Sequence, residues 1–343
     1  MPKSSELVAT YQKRNEEIWR GFGRLEKLAV SRLKEKGCCV HLAADARDAA
    51  AAVQGIVGAE PVVKSHSATV TEINLNLVLS DIRETEISEY VAQLEGNNVV
   101  LGFRGDVMAA SQTLSKKYGS MSIKDLSTHV QQDIRRLIVN CRFGITGVNA
   151  IIAETGSLFF FETQGNVRSI ANLADVHIAV AGIDKIVETT DDALLVGRFL
   201  ADQCLDKTVG NYLSFNTGPS QTGDVEGVLV KGIHGPREVH VILVDNGRRE
   251  ALNRSLPEVF ACMNCQLCLN GCQAFAASDG SYGSPSVGGK GAVLKYLASS
   301  DSCGLEACRG CGNCARTCPL GISWPDVFER AGQYRKGVEL YGV

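Results

Sequence analysis

Two short stretches constrain this chain more than any other feature: CMNCQLCLNGC at residues 262–272 and CRGCGNCARTCP at residues 308–319. Each reads C-x2-C-x2-C-x3-C, as Cys262, Cys265, Cys268, Cys272 and then Cys308, Cys311, Cys314, Cys318, the second followed by Pro319. Three thiolates so closely spaced converge on one cuboidal [4Fe–4S] cluster, while the fourth points away and ligates the other cluster. The spacing therefore predicts two clusters with crossed ligation. Cys262, Cys265, Cys268 and Cys318 hold one, and Cys308, Cys311, Cys314 and Cys272 hold the other. Zinc is the competing reading, but zinc sites favour two separated pairs, often with His, and neither block has a nearby His. The 35 residues between Cys272 and Cys308 include GAVLKYLASS, which reads as a helix, so a helical dicluster domain is expected rather than a minimal ferredoxin. Cys303 reads as a spare thiol outside both ligand sets.

Nine of the 13 cysteines lie between Cys262 and Cys318, with Cys38, Cys39, Cys141 and Cys204 scattered elsewhere. Clustering of this kind, behind an amino terminus that lacks the apolar core of a signal peptide, points to metal rather than disulfides. No stretch approaches the roughly 18 uninterrupted apolar residues of a membrane-spanning helix, and a cytoplasmic setting is expected. A net charge of −3 gives no reason to expect nucleic acid as a partner. With 45% hydrophobic and 21% charged residues, 343 residues suffice for two cored domains.

Apolar residues at Leu7, Tyr11, Ile18, Trp19, Phe22, Leu25, Leu28 and Leu33 recur at helical spacing before Gly37. They predict one amphipathic helix within residues 1–36, packed on its own domain or serving as a docking helix for a partner subunit. Strand-like CCVHLA, PVVK and NNVVLGF then alternate with helix-like DARDAAAAVQGIVG, TEINLNLVLS and ISEYVAQLEG, the rhythm of an α/β sheet with parallel strands. After the helix IKDLSTHVQQDIRRLIVN come two strands within GVNAIIAETGSLFFFETQGN, then VHIAVAGI, YLSFNTG and EVHVILVD, with DDALLVGRFLADQCL as a helix among them. The expected organisation is an α/β domain over 37–250, a small helical 2[4Fe–4S] domain over 258–330, and a tail over 331–343, with the boundary near 246–257.

No G-x-G-x-x-G follows a strand, so nicotinamide or flavin binding of the Rossmann type has no support. GSPSVGGKG resembles a phosphate loop only superficially, because Gly291 follows Lys290 where Ser or Thr would be needed. Polar loops are the remaining candidates. They present Lys64, Ser65, Glu154, Thr155, Asn166, Arg168, Thr217, Ser220 and His234 as possible members of a ligand pocket. Each loop alone reads equally as a turn; together they suit an anionic ligand, with Arg168 able to pair bidentately with a carboxylate and Lys64 as a point charge.

VKSHSATVTEINLN, ETEISEYVAQLEG, ETGSLFFFETQGNVR, VHIAVAGIDKIV and FNTGPSQTGDVEGVLVKGIHGPREVHVILVDNGR resemble the LUD (lactate-utilisation) domain. Followed by the two cysteine blocks, the order is similar to the iron–sulfur B subunit (LutB type) of the bacterial L-lactate utilisation complex. The resemblance implies a larger domain akin to the NagB/RpiA/CoA-transferase-like fold. It also implies oxidation of L-lactate, or a related 2-hydroxyacid, to the 2-oxoacid, carried out with the other subunits of the complex and an electron carrier. Two further readings stay open on the sequence: a larger domain that is only a docking scaffold in another redox complex, and a CoA-transferase or isomerase-like enzyme with regulatory clusters and Glu154 as nucleophile.

Overall fold

The computed structural model describes residues 5–96, 107–205 and 210–332. Among the described residues twelve strands are formed: β1 (Cys39–Ala43), β2 (Val62–Lys64), β3 (Ile82–Glu84), β4 (Phe143–Gly147), β5 (Ala150–Ile152), β6 (Ser157–Glu162), β7 (Val176–Gly182), β8 (Ile186–Val187), β9 (Tyr212–Asn216), β10 (Gln221–Val225), β11 (Val228–Lys231) and β12 (Glu238–Val244). Six build the main sheet in the order β1-β12-β7-β4-β2-β3, and every pairing in it is parallel. A second sheet, β8-β5-β6-β9, contains the antiparallel β5–β6 pair, and β10–β11 is a hairpin.

Sequence composition explains the centre of the sheet. All seven residues of VHIAVAG in β7 are buried, as a parallel strand covered on both faces requires. The helix Ala46–Val57 starts where Asp45 accepts from Arg47 N at 2.8 Å and Asp48 N at 2.9 Å. Thr189 and Asp192 form a reciprocal capping box at the start of Thr190–Phe199.

Several elements differ from the sequence expectation. The amino-terminal helix is two, Ser5–Arg20 and Phe22–Glu35, divided at Gly21, the residue type least costly to take out of a helix after Pro. Its apolar face is covered within this chain: Tyr11 packs at a tilt against Phe199 with ring centroids 4.5 Å apart, and Phe22 meets Phe260 edge-on. TEINLNLVLS is no single helix. The helix Ala68–Glu72 is followed by a 3-10 turn at Leu75–Leu77, because Asn74 adopts the left-handed conformation that Asn tolerates. The strand expected at NNVVLGF lies outside the described residues.

The segment 246–257 is no open linker. Its helix Arg248–Asn253 is packed on Gly288–Ser299, and the Arg248 side chain is fully buried. One apolar core runs from Tyr11 and Phe22 through Phe159 and Phe199 to Phe260, Trp324 and Phe328. The cysteine-rich part therefore packs on the α/β part without a solvent gap.

Candidate iron–sulfur and ligand sites

The cysteine blocks fold as short helices and turns, with Leu267–Leu269 as a 3-10 turn and Asn313–Thr317 as a helix. Two neighbouring cavities result. Cys262, Cys265, Cys268 and Cys318 line the first, with Ala68 and Phe199 of the α/β part in its wall. Cys272, Cys308, Cys311 and Cys314 line the second, and Cys268 reaches its edge. Leu269, Gly289 and Trp324 border both cavities, so a single indole side forms part of the partition. None of these cysteines is in a disulfide among the described residues. A donor set made wholly of thiols around an apolar volume suits an iron–sulfur cluster, whose irons sit at the corners of a cube and need ligands that surround a space. Burial pushes the thiols of Cys262, Cys268 and Cys314 above their ordinary range, so bare thiolates would be costly here until a cation compensates them. Cys303 is exposed and lines neither cavity.

One thiol near the first cavity was not singled out by spacing. The helix Thr190–Phe199 runs into a π-helical turn, Leu200–Cys204, which sets Cys204 in hydrogen-bond contact with Cys265. That contact and burial raise the Cys204 thiol far above its ordinary range.

The nine loop residues divide into separate groups. Lys64 is buried at the carboxyl end of β2, with Nζ 2.8 Å from Glu84 Oε2 and 3.5 Å from Glu89 Oε2. The shorter contact is an ion pair, and among the described residues Glu84 Oε2 has no hydrogen-bond partner. Glu89 also makes a short bond to His66 Nδ1. Burial, against the pull of Lys64, raises the Glu84 carboxyl to about 7. Glu89 is buried too, yet His66 and Lys64 hold it ionised, well below the usual carboxylate range. The two carboxyls are thus pushed in opposite directions, burial favouring a proton on Glu84 while Glu89 is held ionised. Ser65 is fully buried, and its Oγ has no hydrogen-bond partner among the described residues.

Asn166 and Arg168 stand beside this cluster. Asn166 Nδ2 donates to Thr85 Oγ1 at 3.2 Å, and Thr85 in turn bonds Lys64 O. Both residues line a cavity of about 580 Å³ walled by Ile87, Leu126, Val130 and Ile134, with Arg135 and Gln164 at its edge. The Arg168 guanidinium lies 4.2 Å from the centre of the Tyr212 ring and forms no ion pair among the described residues.

Glu154, Thr155 and Thr217 belong instead to the second sheet. Glu154 Oε1 accepts from Thr190 N at 2.8 Å and Thr190 Oγ1 at 3.1 Å, the work of a helix-start acceptor rather than a nucleophile. Thr155, Ser157 and Thr217 form a hydroxyl chain with steps of 2.8 and 2.7 Å. Ser220 holds the base of the β10–β11 hairpin through backbone bonds to Pro236 and Gly232, and His234 is exposed nearby.

Comparison with known proteins agrees with this arrangement. The LUD domain description matches residues 26–244, and that of the 4Fe-4S dicluster domain matches residues 258–322. The chain belongs to the LUD-domain family. Among its relatives, the uncharacterized electron transport protein YkgF of Escherichia coli strain K12 is 33% identical over 279 residues, covering 77% of this chain and 57% of that protein. Lactate utilization protein B of Geobacillus thermodenitrificans strain NG80-2 is 31% identical over 280 residues, again covering 77% and 57%. This LUD-domain chain thus spans 57% of the length of either relative. Among solved structures, a DUF162 family protein from Deinococcus radiodurans matches 65% of this chain and 98% of its own at 14% identity, with a TM-score of 0.37. No helix among the described residues is long and apolar enough to cross a membrane.

Proposed function

We propose that this chain is an iron–sulfur electron-transfer subunit that carries two [4Fe–4S] clusters and serves the oxidation of L-lactate, or a related 2-hydroxyacid, to the 2-oxoacid. The observation that carries the reading is the pair of adjoining thiol-lined cavities. Their lining residues follow the crossed pattern: Cys262, Cys265, Cys268 and Cys318 for one cluster, Cys272, Cys308, Cys311 and Cys314 for the other. Relatives named for lactate utilisation and for electron transport support the pathway. The chain acts in the cytoplasm with the other subunits of a lactate-utilisation-type redox complex and passes electrons to a carrier. The all-parallel main sheet supports kinship with the NagB/RpiA/CoA-transferase-like fold.

Oxidation of the alcohol releases two electrons and two protons. Each cluster, when bound, supplies acceptance of one electron. The protein's part is to hold the substrate and move protons. In parallel α/β sheets ligands collect at the carboxyl ends of the strands, where strand order reverses. Here the order reverses between β2 and β4, beside Lys64 and Ser65. The loop leaving β2 reaches Ala68, which walls the first thiol cavity, so a site at this edge would lie next to an electron acceptor. Arg168, which forms no ion pair among the described residues, is the guanidinium for the substrate carboxylate, and Asn166 its neighbouring donor. Glu84 and Glu89, one protonated and one ionised, supply an acid and a base.

The test is anaerobic EPR of the purified chain, alone and with its partner subunits. L-lactate is expected to reduce the clusters in the assembled complex. Clusters that accept electrons from dithionite but from no 2-hydroxyacid, in either preparation, would refute the substrate assignment; a chain with zinc and no iron would refute the electron relay.

A further inference from the structure

GSPSVGGKG, rejected above as a phosphate loop, has another use in the fold. It opens the helix Gly288–Ser299, whose first residues are buried. A Cβ on Gly289 would lie 2.1 Å from Trp324 Cγ, and one on Gly291 would lie 1.2 Å from Ser286 O. Only glycine permits approaches this close. The helix start is thereby pressed against the partition between the two cavities. The residue between those glycines is Lys290, only 2% exposed.

Burying an ammonium is costly unless it is paired. Lys290 Nζ donates to Asp184 Oδ2 at 2.7 Å and to the Cys262 carbonyl at 3.1 Å. An ammonium has three donors, so one remains at the wall of the first cavity, which Lys290 lines. Asp184 is shared: Arg248 bonds it through Nε and grips Glu72 with Nη1 and Nη2 at 2.7 and 2.8 Å. Lys185 Nζ lies 3.9 Å from the same Asp184 carboxylate. Three cations therefore face two carboxylates, leaving one net positive charge in a region without water screening. Among the described residues Lys290 is the sole Lys, Arg, Asp or Glu lining the first cavity, whereas the charged residue of the second, Arg309, is exposed.

We infer that Lys290 is a positioning residue that sets the reduction potential of the first cluster, by placing a buried, permanently oriented ammonium beside the Cys262 ligand. Reduction adds one negative charge to the cluster, and a fixed cation in low dielectric favours the reduced form. This rests on the reading that Cys262, Cys265, Cys268 and Cys318 hold a cluster. The same geometry predicts opposite signs for two substitutions. Lys290→Met removes the cation and leaves Asp184 paired to Arg248. Asp184→Asn keeps the cation and removes the charge that offsets it.

The experiment is an anaerobic potentiometric titration followed by EPR, with iron and sulfide counted for each preparation. In Lys290→Met one of the two one-electron steps is expected to fall, by at least tenfold in the reduction equilibrium, or about 59 mV, while the other stays in place. In Asp184→Asn the same step is expected to rise, and Lys290→Arg is expected to retain the wild-type value. Full iron content with both steps unmoved in Lys290→Met would overturn the inference, as would equal movement of both. If Lys290→Met cannot hold iron, Lys290→Arg decides: wild-type iron and potentials support a charge role, and loss of iron there too overturns it in favour of shape alone. Absence of two iron signals in the wild type would instead overturn the cluster reading on which this rests.

Discussion

Replacing Glu84 by Gln should make the protein more stable as the pH rises, although the substitution removes a partner of a buried lysine. In the native state Glu84 is 6% exposed, and burial lifts its carboxyl from 4.5 to about 7. An unfolded chain loses that proton near 4.5. Between about pH 4.5 and 7 the native state therefore binds more protons than the unfolded one, and stability declines as the pH rises through this window. The Glu84 contribution is fully present below the lower value and lost above the upper. At about 1.4 kcal/mol per pH unit the gap from 4.5 to 7 sets a ceiling of about 3.5 kcal/mol. Gln is close in shape to the protonated acid and cannot ionise. The difference between Glu84→Gln and wild type should therefore be small at pH 4.5 and grow to between about 1 and 3 kcal/mol in favour of the variant at pH 8. The assay is the apparent thermal midpoint of anaerobic, cluster-loaded protein at one heating rate, measured for both proteins from pH 4.5 to 8.5. Taking the difference at each pH cancels the clusters and every other titrating group they share. Parallel curves would show that Glu84 ionises as an ordinary carboxyl and that Lys64 neutralises it fully.

Two more outcomes follow from the geometry. Arg248→Met leaves the buried Glu72 without its ion-pair partner, while Asp184 keeps Lys290, and should cost about 3–5 kcal/mol; an unfolding free energy within about 1 kcal/mol of wild type would mean that Glu72 is already neutral. Cys318→Ser and Cys262→Ser should abolish the same EPR signal, and Cys272→Ser and Cys308→Ser the other, each leaving about four of roughly eight irons. A Cys318→Ser protein that loses the Cys308 signal would refute crossed ligation.

Much of this was readable in the sequence where the cause is local. The C-x2-C-x2-C-x3-C spacing carries its own chemistry, because loop geometry alone brings three thiols together. VHIAVAG reads as a doubly covered strand because all its side chains are apolar, and Asp45 marks a helix start by its own hydrogen bonds. What failed was long-range. Glu154 looks like a loop acid in ETGS, yet its carboxylate is spent on Thr190, 36 positions away. Lys64 and Glu89 pair across 25 positions, and Lys290 and Asp184 across 106, with no periodic pattern to announce either. Cys204 stands alone in the chain and reaches Cys265 only because a helix loosens into a π turn. A single helix over residues 1–36 fits the apolar repeat, and only the backbone freedom of Gly21 divides it.

The wall shared by Ala68 and Phe199 bears on how the protein is made. Ribosomal synthesis delivers both residues long before the first cysteine block emerges, yet the first cavity is closed only when that block docks on them. A cysteine-rich part folded by itself would lack this wall. A fragment starting at residue 258 is therefore expected to present the thiols of the first cavity on an open apolar surface, exposed to oxidation and to self-association.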